Sequence, residues 1–373
     1  MDLFRGRVGV VQHVLTPYRV PVYDLLAAQC TEGLAVFAGE PHPGESIAHT
    51  TELSVARYVP ARNRRLLGGR LALGWQGGLV DWLEAWQPDA LIADANPRYL
   101  STRRAITWMH RRGRPVLGHG LGVMPLTPGL QRLRAFGRRR LLHRFDGLIA
   151  YSSRAAEQYR AMGIPPDRVF VAYNAVAHRP TSPLPSRPPS FPDGSPRVLF
   201  VGRLTGPKRI DLLIRACGAL RSMFHPRLRI VGDGPARGEL ESLAKACLPE
   251  TTFLGARYGD ELAAAFADAD LFVLPGLGGL AIQEAMSYGL PVIVAEGDGT
   301  QDDLVRPETG WNIPAGDDSA LLGALRAALS DPERLRRMGA AARRVVEDEI
   351  NIERMVEAIV IALNSVRNPT RRG

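Results

Sequence analysis

Short apolar runs alternate along the chain with longer segments whose apolar positions fall three or four apart. Residues 8–11 form the first run and 18–29 the first segment at helical spacing, so the chain opens on a strand and a helix. Runs at 90–93, 116–117, 148–150 and 168–173 repeat the pattern, with a helix over 78–86 and Ser152 or Ser153 placed to cap another. The series restarts at 198–201, followed by a helix over 210–220, and continues through strands at 228–231, 252–254, 270–274, 290–294 and 309–313. Helices over 317–330, 332–347 and 350–364 complete it. Strand and helix in strict alternation predict an α/β chain built on parallel sheets.

Between the two series, residues 178–196 (HRPTSPLPSRPPSFPDGSP) have no apolar period and are rich in proline and serine, which reads as an interdomain linker. A chain of 373 residues is long for one core. Two domains are therefore expected, 1–177 and 197–347, with 348–373 as a terminal helical segment. The three cysteines have no paired metal spacing, which fits reduced thiols and argues against a disulfide framework or a zinc site. No apolar run reaches the length of a membrane span and the opening MDLFRGRVGVVQH lacks a signal-peptide core, so the expectation is a cytoplasmic protein.

The chemistry concentrates at 275–294, PGLGGLAIQEAMSYGLPVIV. Gly276, Gly278 and Gly279 let the backbone approach a ligand, and the helix starting near Leu280 has free N-terminal amides that can hold an anion. Glu284 follows one turn inside. A second loop, Gly202 to Arg209, ends strand 198–201, and its charges are reversed: Lys208 and Arg209 stand in the first turn of a helix whose N-terminus is already positive, with Arg203 nearby. Asp211 offsets part of this. A bound diphosphate would explain the arrangement. Gly232 and Gly234 form an ordinary turn after strand 228–231, and Arg257 follows strand 252–254 as either a ligand contact or a surface charge.

In the first half, the loop after strand 8–11 holds Gln12, His13, Thr16, Pro17, Tyr18 and Arg19, where strand ends of an open parallel sheet face ligands. Arg19 reads equally as an anion contact or a solvated helix start. Asp94, Asn96 and Arg98 fall at the end of strand 90–93, and His119 lies between two glycines at the end of the next. From Arg98 to Arg144 there are twelve arginines and no acidic residue, including a helix over 130–142 in which Leu130, Leu133, Phe136, Leu141 and Leu142 alternate with arginines. Such a helix fits an anionic membrane surface. A solvated face is the plain alternative, and nucleic acid is not expected because few aromatics lie among the arginines to stack bases.

Residues 276–294 resemble the retaining GT-B glycosyltransferases of family 4. That family carries two glutamates with seven residues between them, around a Gly-Leu pair, then Glu-Ala-Met and Gly-x-Pro-Val. Here the pair is Gly279 and Leu280 and the second glutamate is Glu284, followed by Ala285, Met286, Gly289, Pro291 and Val292. Gly276 stands where the first glutamate would be. Arg203 and Lys208 match the family's Gly-Arg, gap, Lys pattern. The resemblance implies two facing Rossmann-like domains with a cleft between them, and a last helix that packs back on the first domain. It implies a nucleotide-diphosphate sugar, UDP- or GDP-linked, as donor and a glycan or lipid-linked acceptor, with retention of configuration and with neither metal nor cofactor. Arg203 and Lys208 would hold the leaving diphosphate and Glu284 the ribose. Gly202, Gly232, Gly234, Arg257, Gly276, Gly278, Gly279 and Leu280 would line the donor site. His119 would lie near the reacting sugar, with His13, Tyr18, Arg19 and Asn96 on the acceptor side. Two rivals stay open: a nucleotide-sugar 2-epimerase, and a degenerate, non-catalytic domain that binds sugar or membrane.

Overall fold

The computed structural model describes residues 3–42, 45, 47–66, 73–122 and 131–367. They form two compact units. The first takes in Met1–Val176 and Ile352–Gly373, and the second is Ala177–Asn351.

The first unit is built on strands β1 (Val8–Val14), β2 (Leu34–Gly39), β3 (Arg57–Arg65), β4 (Gly74–Gly77), β5 (Ala90–Asp94), β6 (Val116–Gly120), β7 (Gly147–Ala150) and β8 (Val169–Val171). They lie in the order β4-β3-β2-β1-β5-β6-β7-β8. All neighbours are parallel except β3 and β4, which pair antiparallel. The inner strands are apolar without alternation because both faces are covered. Val10 packs on one face with Val22 and Leu26 of the helix Val20–Ala28 and with Ile359 and Leu363 of the helix Ile352–Arg367. Val11 packs on the other with Phe37, Trp82, Leu91 and Ile106. Ile352, Met355, Val356, Ile359, Val360, Leu363 and Val366 line one buried face of the returning helix, each stabilising the unit by about 1.5–3 kcal/mol. Neighbours on opposite sides of β1 run in opposite sequence directions, so a topological switch point lies between β1 and β5.

The second unit holds β9 (Arg197–Val201), β10 (Arg227–Val231), β11 (Thr252–Gly255), β12 (Leu271–Leu274), β13 (Val292–Ala295) and β14 (Gly310–Ile313). They form one parallel sheet ordered β11-β10-β9-β12-β13-β14, with its switch point between β9 and β12.

Three features differ from the sequence reading. The periodicity did not point to β2, β3 or β4. β3 is an edge-side strand carrying exposed Arg57, Arg62, Arg64 and Arg65, so it has no apolar signature. The boundaries also move: the Pro/Ser-rich segment belongs to the second unit, because the Arg187 guanidinium donates to the main-chain oxygens of Ala269 (2.7 Å), Tyr288 (2.9 Å) and Phe266 (3.0 Å). The terminal helix begins at Ile352, after Asn351 caps the preceding turn through Val346 O (2.8 Å). Leu130 of the basic helix lies outside the described residues.

Candidate active site

At the switch point of the second unit, the loop after β9 is laced to the turn after β10. Gly202 N donates to Val231 O (3.0 Å), Leu204 N to Asp233 O (2.9 Å) and Ala236 N to Leu204 O (3.1 Å). Gly232 and Gly234 make this possible, because a side chain on either would run into the main chain of Gly202 or Leu204. The Gly206–Lys208 turn then meets the loop after β12: Leu277 N donates to Pro207 O (2.9 Å), and Gly276 lies flat against the Pro207–Lys208 peptide. Arg209 joins that turn to the helix Ile210–Ala219 with a φ of 50° and pairs with Asp211 at 3.2 Å.

Lys208 occupies the middle of this arrangement. Its ammonium lies against Gly278, where a side chain would otherwise begin, and makes no hydrogen bond or ion pair among the described residues. Burial lowers its pKa below the usual lysine value, which marks a cation partly withdrawn from water and not compensated by any carboxylate. The amides of Gly278, Gly279 and Leu280, which open the helix Leu280–Ser287, are likewise without partners among the described residues. On the same helix the Glu284 carboxylate is half-buried, has no hydrogen-bond partner among the described residues, and has its pKa raised by burial. A positive and a negative group, each partly desolvated and unpaired among the described residues, carry a cost that a bound ligand would relieve.

In the first unit the ends of β1, β5, β6 and β7 carry a connected polar cluster. His119 is 5% exposed. The Gln12 amide donates to its Nε2 (2.9 Å), which places the ring proton on Nδ1, facing the Tyr151 oxygen at 2.7 Å. Burial and the nearby Arg19 charge push the His119 pKa down to about 3, while burial pushes Asp94, 3.6 Å from Nε2, up to about 7 against the pull of Arg19. Arg19 donates to Asn174 Oδ1 (2.6 Å), stacks over Tyr151 with 5.1 Å to the ring centroid, and has no carboxylate within ion-pair distance among the described residues. A small pocket beneath is lined by Gln12, Arg19, Tyr23, His119 and Tyr151 over an apolar floor that includes Ile92 and Ile359. With its ring neutral, His119 should keep the nitrogen shifts of a neutral imidazole from pH 8 to pH 5, with only a small displacement as the neighbouring Asp94 takes up its proton near pH 7. Conversion to imidazolium shifts within that range would mean that water reaches the ring.

Two family profiles match the chain: "Glycosyl transferase 4-like domain" over residues 18–175 and "Glycosyl transferases group 1" over 185–345. The chain belongs to the group 1, family 4-like glycosyltransferases by these two profiles. A GDP-mannose-dependent alpha-mannosyltransferase from Mycobacterium tuberculosis is 38% identical over 195 residues, 48% of this chain and 47% of that protein. The chain thus spans about half the length of that relative. A GDP-mannose-dependent monoacylated alpha-(1-6)-phosphatidylinositol monomannoside mannosyltransferase from Corynebacterium glutamicum is 27% identical over 97% of this chain and 96% of its own length. Among solved structures, Anabaena Alr3699/HepE in complex with UDP superposes with a TM-score of 0.72 at 16% identity, covering 96% of this chain and all of that one. This shows the fold, which is GT-B.

The second unit brings together most of the residues singled out by sequence on the donor side. Gly202, Lys208, Gly232, Gly234, Gly276, Gly278, Gly279, Leu280 and Glu284 all stand at the β9/β12 switch point, with Arg203 exposed on the same loop. Arg257 does not join them: it follows β11, at the sheet edge, and pairs with Glu261 at 3.2 Å. On the first unit His119 and Arg19 share one cluster. His13 stands apart from it, stacked on Tyr99 at 5.4 Å and bonded to Glu45 at 3.2 Å, Tyr18 is exposed, and Asn96 accepts from Arg98 N in a local turn. Sequence reasoning left Tyr151 and Gln301 out of the site. Tyr151 directly follows β7, a position of the same kind as His119 after its strand, and could have been found that way. Gln301 had no sequence signal.

Proposed function

We propose that the enzyme transfers a hexose from a nucleoside diphosphate sugar to a hydroxyl of a glycan or lipid-linked acceptor with retention of configuration. The unpaired Lys208 ammonium beside three free loop amides carries this reading, because it supplies the positive charge that a departing diphosphate needs. Glu284, one turn along the same helix, accepts from the ribose hydroxyls. The bond from C1 to the phosphate oxygen breaks as the acceptor oxygen bonds C1 on the same face, and the acceptor's proton passes to the departing phosphate. No protein base is required, and neither is a metal or a cofactor. The two mannosyltransferase relatives favour a GDP-linked donor, and the second of them favours a lipid-linked acceptor.

The exposed Arg98, Arg103, Arg104, Arg111, Arg112, Arg139 and Arg140, together with Phe136 at 63% exposure, supply a surface for an anionic membrane face. Among the described residues no helix is long and apolar enough to cross a membrane. The expected setting is peripheral, on the cytoplasmic side.

Calorimetric titration with UDP, GDP and ADP tests the donor assignment. One of the three should bind, and Lys208→Ala should weaken it by about 10- to 100-fold, the loss of a hydrogen bond to a charged group. No binding by the parent protein would favour a degenerate, non-catalytic domain. Equal affinity of variant and parent would remove Lys208 from the phosphate site.

A further inference from the structure

Gln301 lies outside every motif that led to the donor site, yet it is 1% exposed and reaches directly into the glycine loop. It comes from the turn after β13, in the short helix Thr300–Leu304. That turn is itself fixed, since Asp298 Oδ1 accepts from both Thr300 N (3.1 Å) and Thr300 Oγ1 (2.6 Å). From there the Gln301 side-chain amide donates through Nε2 to Gly278 O at 2.7 Å. Its Oε1 is buried without a hydrogen-bond partner among the described residues. Turning the amide over would not help, because Oε1 would then face the Gly278 carbonyl oxygen. The orientation is thus dictated by the loop and is held although it strands one buried acceptor.

The peptide joining Gly278 and Gly279 is trans, so its carbonyl and its N–H point in opposite directions. Drawing the Gly278 oxygen toward Gln301 aims the Gly279 N–H away from it. That N–H is one of the three amides without a partner among the described residues. The loop is then pinned at two places: Leu277 N on Pro207 O, and Gly278 O on Gln301. Gly297 leaves the room that Gln301 occupies, since a side chain there would stand 2.7 Å from Nε2.

We propose that Gln301 is a positioning residue for the donor diphosphate, holding the Gly278–Gly279 peptide so that its amide faces the phosphates. This rests on the diphosphate reading of the Lys208 site. Gln301 itself touches no reacting atom. A preset amide costs no reorganisation when the anion arrives, whereas a loop free to rotate this peptide offers the phosphate a carbonyl for part of the time.

The test compares the intact protein with Gln301→Leu and Gln301→Glu, using GDP and UDP against guanosine and uridine as probes. At pH 8 both variants should bind the diphosphate about 10- to 100-fold more weakly than the parent, with nucleoside binding unchanged, measured well below the melting temperature of each. The glutamate variant adds a readout that packing alone would not move. Buried without a partner it takes up a proton at mildly acidic pH and can again donate to Gly278 O. Its affinity relative to the parent should therefore recover at pH 5.5, while that of Gln301→Leu should not. Unchanged diphosphate affinity in both variants would overturn the proposal. So would equal losses for nucleoside and diphosphate, which would mean a general packing defect. If the parent binds a diphosphate in a Lys208-dependent way and these variants behave as the parent, only the role of Gln301 fails. If the parent binds none, the donor-site reading fails with it.

Discussion

Gly276→Glu, the substitution that would complete the family's pair of glutamates, is expected to weaken nucleoside diphosphate binding strongly. A Cβ at 276 would stand 2.5 Å from the carbonyl carbon of Lys208 and 2.6 Å from its oxygen, and closer still to Pro207 O. These are main-chain atoms of a short turn and cannot swing aside as a flexible side chain would. The turn must move bodily, breaking the hydrogen bond from Leu277 N to Pro207 O and carrying Lys208 away from Gly278. Overpacking of this kind costs about 1–3 kcal/mol and the lost bond about 1 kcal/mol more. The affinity for GDP or UDP should fall by about 30- to 1000-fold. Gly276→Ala should fall with it, because the obstacle is the Cβ and not the carboxylate. Calorimetry on both variants separates the possibilities, and a glutamate variant that binds as well as the parent would show that the turn opens freely.

Gly232→Ala should be the most destabilising single methyl addition in the second unit. Gly232 has a φ of 134°, and an added Cβ would overlap Gly202 O and stand 2.9 Å from Gly202 C. Relief requires separating the loop after β9 from the turn after β10, which are held by three main-chain hydrogen bonds. Strain and overpacking together amount to about 3–5 kcal/mol. For a unit of this size the melting temperature should drop by about 10 °C or more. Differential scanning calorimetry measures it directly, and an unchanged transition would mean that the lacing between these loops contributes little.

The donor half was legible because its chemistry is written locally. A strand, glycines, a helix start and a reversed charge at Lys208 are all visible in consecutive residues, and the sheet then places them at one switch point. Arg257 reads either way because an exposed arginine four residues before Glu261 can be satisfied locally, and nothing in its own segment distinguishes that from a ligand contact. The polar cluster of the first unit was only partly readable: His119 and Arg19 stood out singly, but their association with Gln12 and Tyr151 is made by strand order, which the sequence does not state. Gln301 was invisible for the same reason, since its partner is a main-chain carbonyl on another loop. β3 was missed because its sequence, RYVPARNRR, is that of a strand whose residues are mostly half-buried or exposed.

The helix Ile352–Arg367 completes the core of the first unit from beyond the far end of the second. The order of synthesis is then inverted with respect to the order of completion. When residue 351 has been made, the second unit has every residue it needs, while the first still lacks the face that covers Val10, Val22 and Leu26. Domains ordinarily mature from the N-terminus as the chain is made. Here the earlier-made of the two units is the later to close, and until then its apolar sheet face is what a chaperone on the nascent chain would meet.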